Sequence, residues 1–329
     1  MSQHSVVILG TGHSLPTKVL TNHDLEKMVD TSDEWIASRT GIRERRVARS
    51  DEALSKFATQ SAVRALEMAG VSAGEIDLIV CGTVTPDMPI PATACFVQAQ
   101  LGTGKCVAFD LSAGCSGFLY ALSVAQHFVA AGQAEKALVI GGEVLSKFVD
   151  WTDRSTCVIF ADGAGSVVLG QGEESYGILA QTLESDGTHA EFIHVPAGGS
   201  RSPASETTVR EGMHYIKMRG SETYKLAVRS LYDVCKKVIA DAGLTVEDID
   251  LFVPHQANLR ILNAVGSRLG LDPGRTYVNI DRIGNTSAAS IPIALDECVR
   301  QGKVKRGDHV LLAAFGAGLT WGASLVRWC

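Results

Sequence analysis

The chain has 329 residues, with 30 Lys and Arg against 36 Asp and Glu, for a net charge of −6. That length corresponds to about two domains and a core that needs no staples, and the acidic balance argues against a nucleic-acid binder. Hydrophobic residues at 46% and charged residues at 20% exclude a disordered chain, and no apolar run reaches the ~18 residues of a membrane span. Residues 1–20 carry neither the basic start nor the apolar block of a signal peptide, and are expected to belong to the folded protein. Short apolar runs predict strands at 6–9, 76–81, 106–109, 136–140 and 166–170, and again at 249–253, 276–280, 310–314 and 324–328. Apolar residues at 3–4 spacing predict helices at 54–69, 118–131, 222–242 and 259–269. Fully apolar strands alternating with helices point to sheets covered on both faces, the α/β class. Eight cysteines lie at 81, 95, 106, 115, 157, 235, 298 and 329 without a C-x-x-C pair. That pattern is neither a disulfide framework nor a zinc site, and it suits a reducing cytoplasm.

A self-comparison organises the chain. Residues 69–80, AGVSAGEIDLIV, line up with residues 242–253, AGLTVEDIDLFV, at an offset of 173. At that offset residues 136–140, KALVI, fall on residues 309–313, HVLLA. Two matches at one offset suggest duplicated halves, although any two αβ units share helix-end and strand chemistry. The polar, glycine-rich stretch 170–177 divides the chain into 1–172 and 173–329. Two facing halves would put chemistry at their junction.

Four stretches carry candidate chemistry. Residues 110–118, DLSAGCSGF, form a small-residue turn between a strand and an apolar helix, and present Cys115 at the helix N-terminus. There the unpaired N–H groups and the positive dipole end favour a thiolate; the alternative is a buried structural cysteine, the reading given to Cys81, Cys106 and Cys235. Residues 253–258, VPHQAN, put His255 at a strand end, where open α/β sheets bind ligands. Taken alone, it is as well read as structural. Residues 282–290, RIGNTSAAS, lead through a Gly turn into a small-residue helix, where Asn285 is either functional or a cap. Residues 314–322, AFGAGLTWG, form a turn whose backbone N–H groups make either an oxyanion hole or a hairpin.

In this order the four stretches are specific. With the early segment 31–46, TSDEWIASRTGIRERR, and the closing Thr320-Trp321-Gly322, the chain resembles β-ketoacyl-acyl-carrier-protein synthase III, of the thiolase-like superfamily, over essentially its whole length. The resemblance implies a homodimer of five-layer αβαβα subunits built from the two halves. It implies a Cys–His–Asn triad at the bottom of a tunnel, with Cys115 the acylated nucleophile. His255 and Asn285 would hold the extender's thioester carbonyl, and Cys115 and Gly316 would form the oxyanion hole. Trp35 and Arg154 would stack around the CoA adenine, Thr31 and Arg39 would sit at the nucleotide end, and Asn258 near the pantetheine. Ile90 stands where the best-known bacterial relatives reach a Phe across the dimer into the acyl pocket, to which Phe315 is also assigned. The smaller Ile90 puts acetyl-only specificity in question, and the long segment 196–218 could reshape the tunnel. Ser221 reads as the N-cap of a helix on which Lys225 and Arg229 lie one turn apart. With Arg260 and Arg268 they form a basic patch suited to an acidic carrier protein.

The implied activity joins an acyl-CoA primer to malonyl-acyl carrier protein with loss of CO2, starting fatty acid biosynthesis in the cytoplasm. A cysteine can hold an acyl group because exchange between thioesters loses little energy. Loss of CO2 from the extender then builds charge on a carbonyl oxygen, which two neutral donors, a His N–H and an Asn amide, stabilise. No metal or redox cofactor is expected, the CoA thioesters being substrates. The alternative is a specialised-metabolism relative, condensing or only transferring acyl groups, with another primer or extender. A non-catalytic acyl-CoA binder would not need all three of Cys115, His255 and Asn285. Lookalike motifs fail: Gly10-Thr11-Gly12 lacks the third Gly of a dinucleotide fingerprint and meets Pro16. Gly104-Lys105-Cys106 lacks the rest of a P-loop, and His189, Glu191 and His194 lack zinc-ligand spacing. The order Cys, His, Asn also differs from that of an α/β-hydrolase.

Overall fold

The computed structural model describes residues 5–329. Strands β1 (Ser5–Ser14), β2 (Leu78–Gly82), β3 (Val107–Leu111), β4 (Lys136–Val144) and β5 (Asp162–Gly172) form one sheet in the order β1-β5-β4-β2-β3. β2 pairs parallel with both β3 and β4, whereas β1 and β5 run antiparallel to their neighbours. A second sheet has the order β7-β8-β9-β6, from β6 (Gly177–Ser185), β7 (Leu251–Pro254), β8 (His309–Gly316) and β9 (Thr320–Arg327). Here only the β7–β8 pair is parallel.

Seven helices matter to the site: α1 (Asp33–Thr40), α2 (Leu54–Ala69), α3 (Thr93–Leu101), α4 (Gly117–Ala130), α5 (Gly220–Asp241), α6 (Leu259–Leu269) and α7 (Ser290–Arg300). The sheets have apolar strands because both faces of each are covered. In β4, Leu138 and Ile140 pack outward with Phe57 and Ala62 of α2. Ala137 and Val139 pack inward with Leu119 and Leu122 of α4 and Leu295 of α7. In β8, Leu312 joins that central layer, while Leu311 and Ala313 pack with Leu231 and Val238 of α5 and Val265 of α6. Outer helices, sheet, central helices, sheet and outer helices make five layers, αβαβα.

Every strand of the first sheet lies within 1–172 and every strand of the second within 173–329. The offset of 173 carries the first residue of β2 onto that of β7 and the first residue of β4 onto that of β8. We propose these two segments as the duplicated halves.

Two differences from the expected elements have local causes. The strand expected at 276–280 is reduced to a single parallel bridge from Thr276 to Phe252, because a turn at Pro273–Arg275 and a short helix at Ile280–Ile283 take up the backbone on either side. β6 escapes a search for apolar runs because it carries Gln181, Thr182 and Glu184 and is largely half-exposed. A third correction concerns Ser221. The α5 helix starts at Gly220 with Arg219 as its cap, and the Ser221 hydroxyl donates to Glu222 instead. The Gly10-Thr11-Gly12 stretch has a packing role: a Cβ at Gly10 would lie 2.4 Å from the Ala65 carbonyl and one at Gly12 2.3 Å from that of Ser61. Both glycines let β1 lie directly on the α2 backbone.

Candidate active site

A short 3-10 turn, Gly114–Ser116, links β3 to α4, so Cys115 stands at the head of a 14-residue helix. Gly114 has φ +54, a left-handed conformation suited to glycine. The turn is locked to the other half of the chain. Ser116 Oγ donates to the Thr320 carbonyl (3.1 Å), and Thr320 Oγ1 donates to the Ala113 carbonyl (2.7 Å). Gly316, at the end of β8, lies against Cys115 so closely that a Cβ there would sit 2.4 Å from the Cys115 nitrogen. The cysteine is partly open to a cavity but deep within the protein. Burial pushes its thiol up to about 11, while hydrogen bonds from the Ser287 hydroxyl and the Ala317 backbone pull the other way. The helix N-terminus is where the sequence put it, while burial of the cysteine favours the thiol over the thiolate.

His255 follows directly on β7, and its backbone N–H continues the parallel pairing by donating to the Ala313 carbonyl of β8 (2.8 Å). The imidazole is buried, with Nδ1 2.6 Å from Ser290 Oγ and Nε2 without any hydrogen-bond partner. Burial holds its pKa down at about 3, so the ring is neutral at physiological pH. Ser290 Oγ also accepts from the Gln256 N–H (3.3 Å). A hydroxyl proton directed at Nδ1 leaves the ring proton on Nε2, the unpartnered nitrogen.

Asn285 is buried and held at both backbone ends, its N–H donating to Ile159 and its carbonyl accepting from Ala161. Its side-chain Oδ1 accepts from the Ser287 N–H (2.9 Å), which fixes the amide plane and leaves Nδ2 as the free donor. Ser287 has φ +51, an uncommon backbone for a residue with a side chain. Ser287 lines the cavity with Cys115, and its Oγ lies 3.3 Å from Oε1 of the buried Glu143.

A cavity of about 330 Å³ is lined by Cys115, Gly114, Ser287 and Ala317, whereas His255 and Asn285 are not among its lining residues. Its walls are mostly apolar, including Leu145, Phe148, Phe160 and Ile216. Of the long segment 196–218 only Ile216 lines the cavity, and Ile193, His194 and Val195 just before it also contribute. Phe315 is not part of this wall. It faces the core under α5 and stacks on Trp321 with ring centroids 6.2 Å apart, because alternate residues of β8 point to opposite faces. Ile90 also lies away from the wall, 85% exposed on the loop before α3.

The other predicted residues form two groups. Trp35 on α1 has two guanidinium groups over its ring, Arg39 at 5.0 Å and Arg154 at 5.1 Å from the centroid. Nearby, Thr31 Oγ1 is buried without a partner. Asn258 caps α6 by accepting from the Arg260 N–H (2.9 Å) and donates to the Arg39 carbonyl (3.0 Å), joining α6 to α1. Lys225, Arg229, Arg260 and Arg268 are all exposed on the packed pair α5 and α6. Arg260 covers Tyr224 and Arg268 covers Tyr232. Among the described residues, no three of His, Cys, Asp and Glu are grouped as a metal site would need. Sequence reasoning missed Ser287, Ser290 and Glu143. Ser287 and Ser290 lie within the 282–290 stretch singled out for Asn285, and Glu143 is the one acidic residue of β4.

Residues 109–187 match the family described as 3-Oxoacyl-[acyl-carrier-protein (ACP)] synthase III, and residues 239–328 match that described as its C terminal part. A β-ketoacyl-[acyl-carrier-protein] synthase III of Caldanaerobacter subterraneus subsp. tengcongensis is 54% identical over 98% of this chain and 97% of its own. The chain belongs to the β-ketoacyl-[acyl-carrier-protein] synthase III family. It is thus a thiolase-like condensing enzyme, an acyltransferase of fatty acid biosynthesis. The solved 3-oxoacyl-[acyl-carrier-protein] synthase III of Aquifex aeolicus VF5 superposes with a TM-score of 0.91 at 50% identity, covering 98% of this chain and all of that one. The priming β-ketosynthase of the R1128 polyketide pathway superposes at 0.92 with 35% identity, covering 99% of this chain and 97% of that one.

Proposed function

We propose that Cys115 takes the acyl group from an acyl-CoA primer and that His255 and Asn285 then hold the thioester carbonyl of malonyl-acyl carrier protein while CO2 leaves. The product is a 3-oxoacyl-acyl carrier protein, the first condensation of fatty acid biosynthesis. The observation that carries this reading is His255: buried, neutral, and with Nε2 unpartnered. A neutral donor stabilises a developing enolate without protonating its carbon. The acyl-enzyme's own oxyanion would rest on the N–H groups of Cys115 and Gly316, whose close approach supports a shared hole. The higher identity to fatty acid enzymes than to the polyketide priming enzyme favours primary over specialised metabolism.

The nucleotide of CoA is assigned to Trp35, Arg39, Arg154 and Thr31. The stacked guanidinium groups could exchange one face of the indole for adenine, and Thr31 Oγ1 awaits a partner. Asn258 stands between this group and α6, on the route of the pantetheine. Lys225, Arg260 and Arg268 form the face offered to the acidic carrier protein. A homodimer is supported by the edge strand β3, where Val107 is 51% exposed, and by the exposed Met88 and Ile90 beside a second cavity of about 460 Å³. In such a dimer Ile90 would close the partner's acyl pocket. All eight cysteines are free thiols, which fits a cytoplasmic enzyme.

The test is an intact-mass scan against a panel of acyl-CoAs, followed by addition of malonyl-acyl carrier protein. The expected result is a mass gain on Cys115 and its release as a 3-oxoacyl product. An acyl-enzyme that is stable to malonyl carrier protein but discharged by another extender overturns the assignment to fatty acid initiation.

A further inference from the structure

Glu143 is the last acidic group before the end of β4, and nothing in the chemistry above uses it. It is completely buried, and among the described residues it has no cationic partner. Its two oxygens are held unequally. Oε2 accepts from Thr85 Oγ1 at 2.6 Å and from Thr83 Oγ1 and the Val84 N–H, both at 3.2 Å. Oε1 has only long contacts, the Val84 N–H and Ser287 Oγ, both at 3.3 Å. The loosely held oxygen thus faces Ser287, whose turn Ser287–Ala289 packs against the Gly114–Ser116 turn and which lines the same cavity as Cys115. Ser287 has a left-handed φ of +51, and its hydroxyl is within reach of the carboxylate.

We propose that Glu143 receives the Cys115 thiol proton during acyl loading, through the Ser287 hydroxyl. The Sγ–H proton passes to Ser287 Oγ as the Ser287 proton passes to Glu143 Oε1. Sγ bonds to the primer's carbonyl carbon, the carbonyl carbon–sulfur bond of the acyl-CoA breaks, and the CoA thiolate leaves. That thiolate takes back the proton by the same bridge, so the balance is Cys–SH plus acyl-CoA giving acyl-Cys plus CoA–SH. Glu143 touches no substrate and acts as a positioning residue.

The chemistry needs such a group. The buried thiol has its pKa near 11, and His255, near 3, is far too weak a base to hold a proton. Burial raises Glu143 to about 7, against the hydrogen bonds it accepts from Thr85, Val84, Thr83 and Ser287, so it can take and return a proton near neutral pH. The titratable groups facing it are few. Cys115 lies on the α4 side and Cys81 on β2, the latter also feeling Asp110 and Asp87. On the neighbouring β5, Asp162 is turned away to Ala48 and Ser146.

The experiment is rapid-quench intact mass spectrometry of loading from acetyl-CoA between pH 5.5 and 10, on wild type, Glu143→Gln and Ser287→Ala. Wild-type loading should rise about tenfold per pH unit below pH 7 and level off above it. Both variants should load roughly a hundredfold more slowly at pH 8, and their rates should keep rising through pH 9, as expected when the thiol must ionise unaided. Once acylated by long incubation, both should release product with malonyl-acyl carrier protein at rates within a few-fold of wild type. Ser287→Ala leaves the other hydrogen bonds of Glu143 in place, so it separates the relay from a merely structural anchor. A wild-type plateau retained in either variant, or equal loss of both half-reactions in both, overturns the proposal. The inference rests on Cys115 being the acylated residue. Wild type that fails to acylate at Cys115 marks failure of that reading, whereas normal wild-type loading with unchanged variant profiles marks failure of this one.

Discussion

The imidazole Nδ1 of His255 lies 2.6 Å from the hydroxyl of Ser290, at the first residue of α7. Ser290 comes 35 residues later in the chain, and a hydroxyl proton given to Nδ1 would leave the ring proton on Nε2. Ser290→Ala removes that orientation without emptying the site. Release of CO2 from malonyl-acyl carrier protein should fall about ten- to hundred-fold, less than the loss of the donor itself, while acyl loading stays near wild type. Equal slowing of both half-reactions counts against the orienting role.

The His255 ring should stay neutral across the working pH range. Burial depresses the pKa of the folded form to about 3, against roughly 6.5 for the unfolded chain. Between those values the unfolded chain binds the extra proton, so this contribution to stability is complete above about pH 6.5 and is lost as pH falls toward 3, by at most about 1.4 kcal/mol per pH unit. NMR of ring-labelled protein should show no His255 titration between pH 5 and 9. A midpoint near 6.5 contradicts the burial argument.

Asn285 and His255 should divide the work with Cys115. Loss of one preorganised donor costs about 2.7–4 kcal/mol, roughly a hundred- to thousand-fold in rate. Asn285→Ala should gain an acetyl group from acetyl-CoA yet barely release CO2, whereas Cys115→Ser should show no gain at all. Loading blocked in Asn285→Ala, with normal condensation of pre-acylated enzyme, reverses the assignment.

Gly316→Ala tests the contact beneath the nucleophile. The added methyl must displace the Cys115 backbone, since its carbon would lie 2.4 Å from that nitrogen. Overpacking of this kind costs about 1–3 kcal/mol, read as a lower melting temperature. Acyl loading should fall by more than the lost stability explains, because the oxyanion donors move. Wild-type loading in this variant removes Gly316 from the oxyanion hole.

The basic face should act on the carrier protein alone. Lys225→Ala and Arg260→Ala remove exposed charges on α5 and α6. They should raise the KM for malonyl-acyl carrier protein most strongly at low salt, where screening is weak. Acyl loading from CoA should be unchanged. Weakening of both steps alike assigns the patch to CoA or to stability.

Much of this enzyme is legible along the chain because its signals are local. Buried strands are apolar on both faces, which marked β2, β4, β7 and β8, and helical spacing marked α2 and α6 to the residue. The repeat at offset 173 reflects the same unit folded twice. The small-residue stretches around Cys115 and Asn285, and the strand end before His255, are likewise visible along the chain. Only the tertiary structure decided what those side chains experience. Desolvation depends on everything packed around a group, so neither the raised thiol of Cys115 nor the neutral ring of His255 could be read from neighbouring residues. Glu143 reaches Ser287 through space from 144 residues earlier in the chain, and Ser290 reaches His255 from 35 residues later. Phe315 shows the converse: next in sequence to Gly316, it points to the opposite face of β8, because a strand alternates its side chains and only packing decides which face meets the cavity.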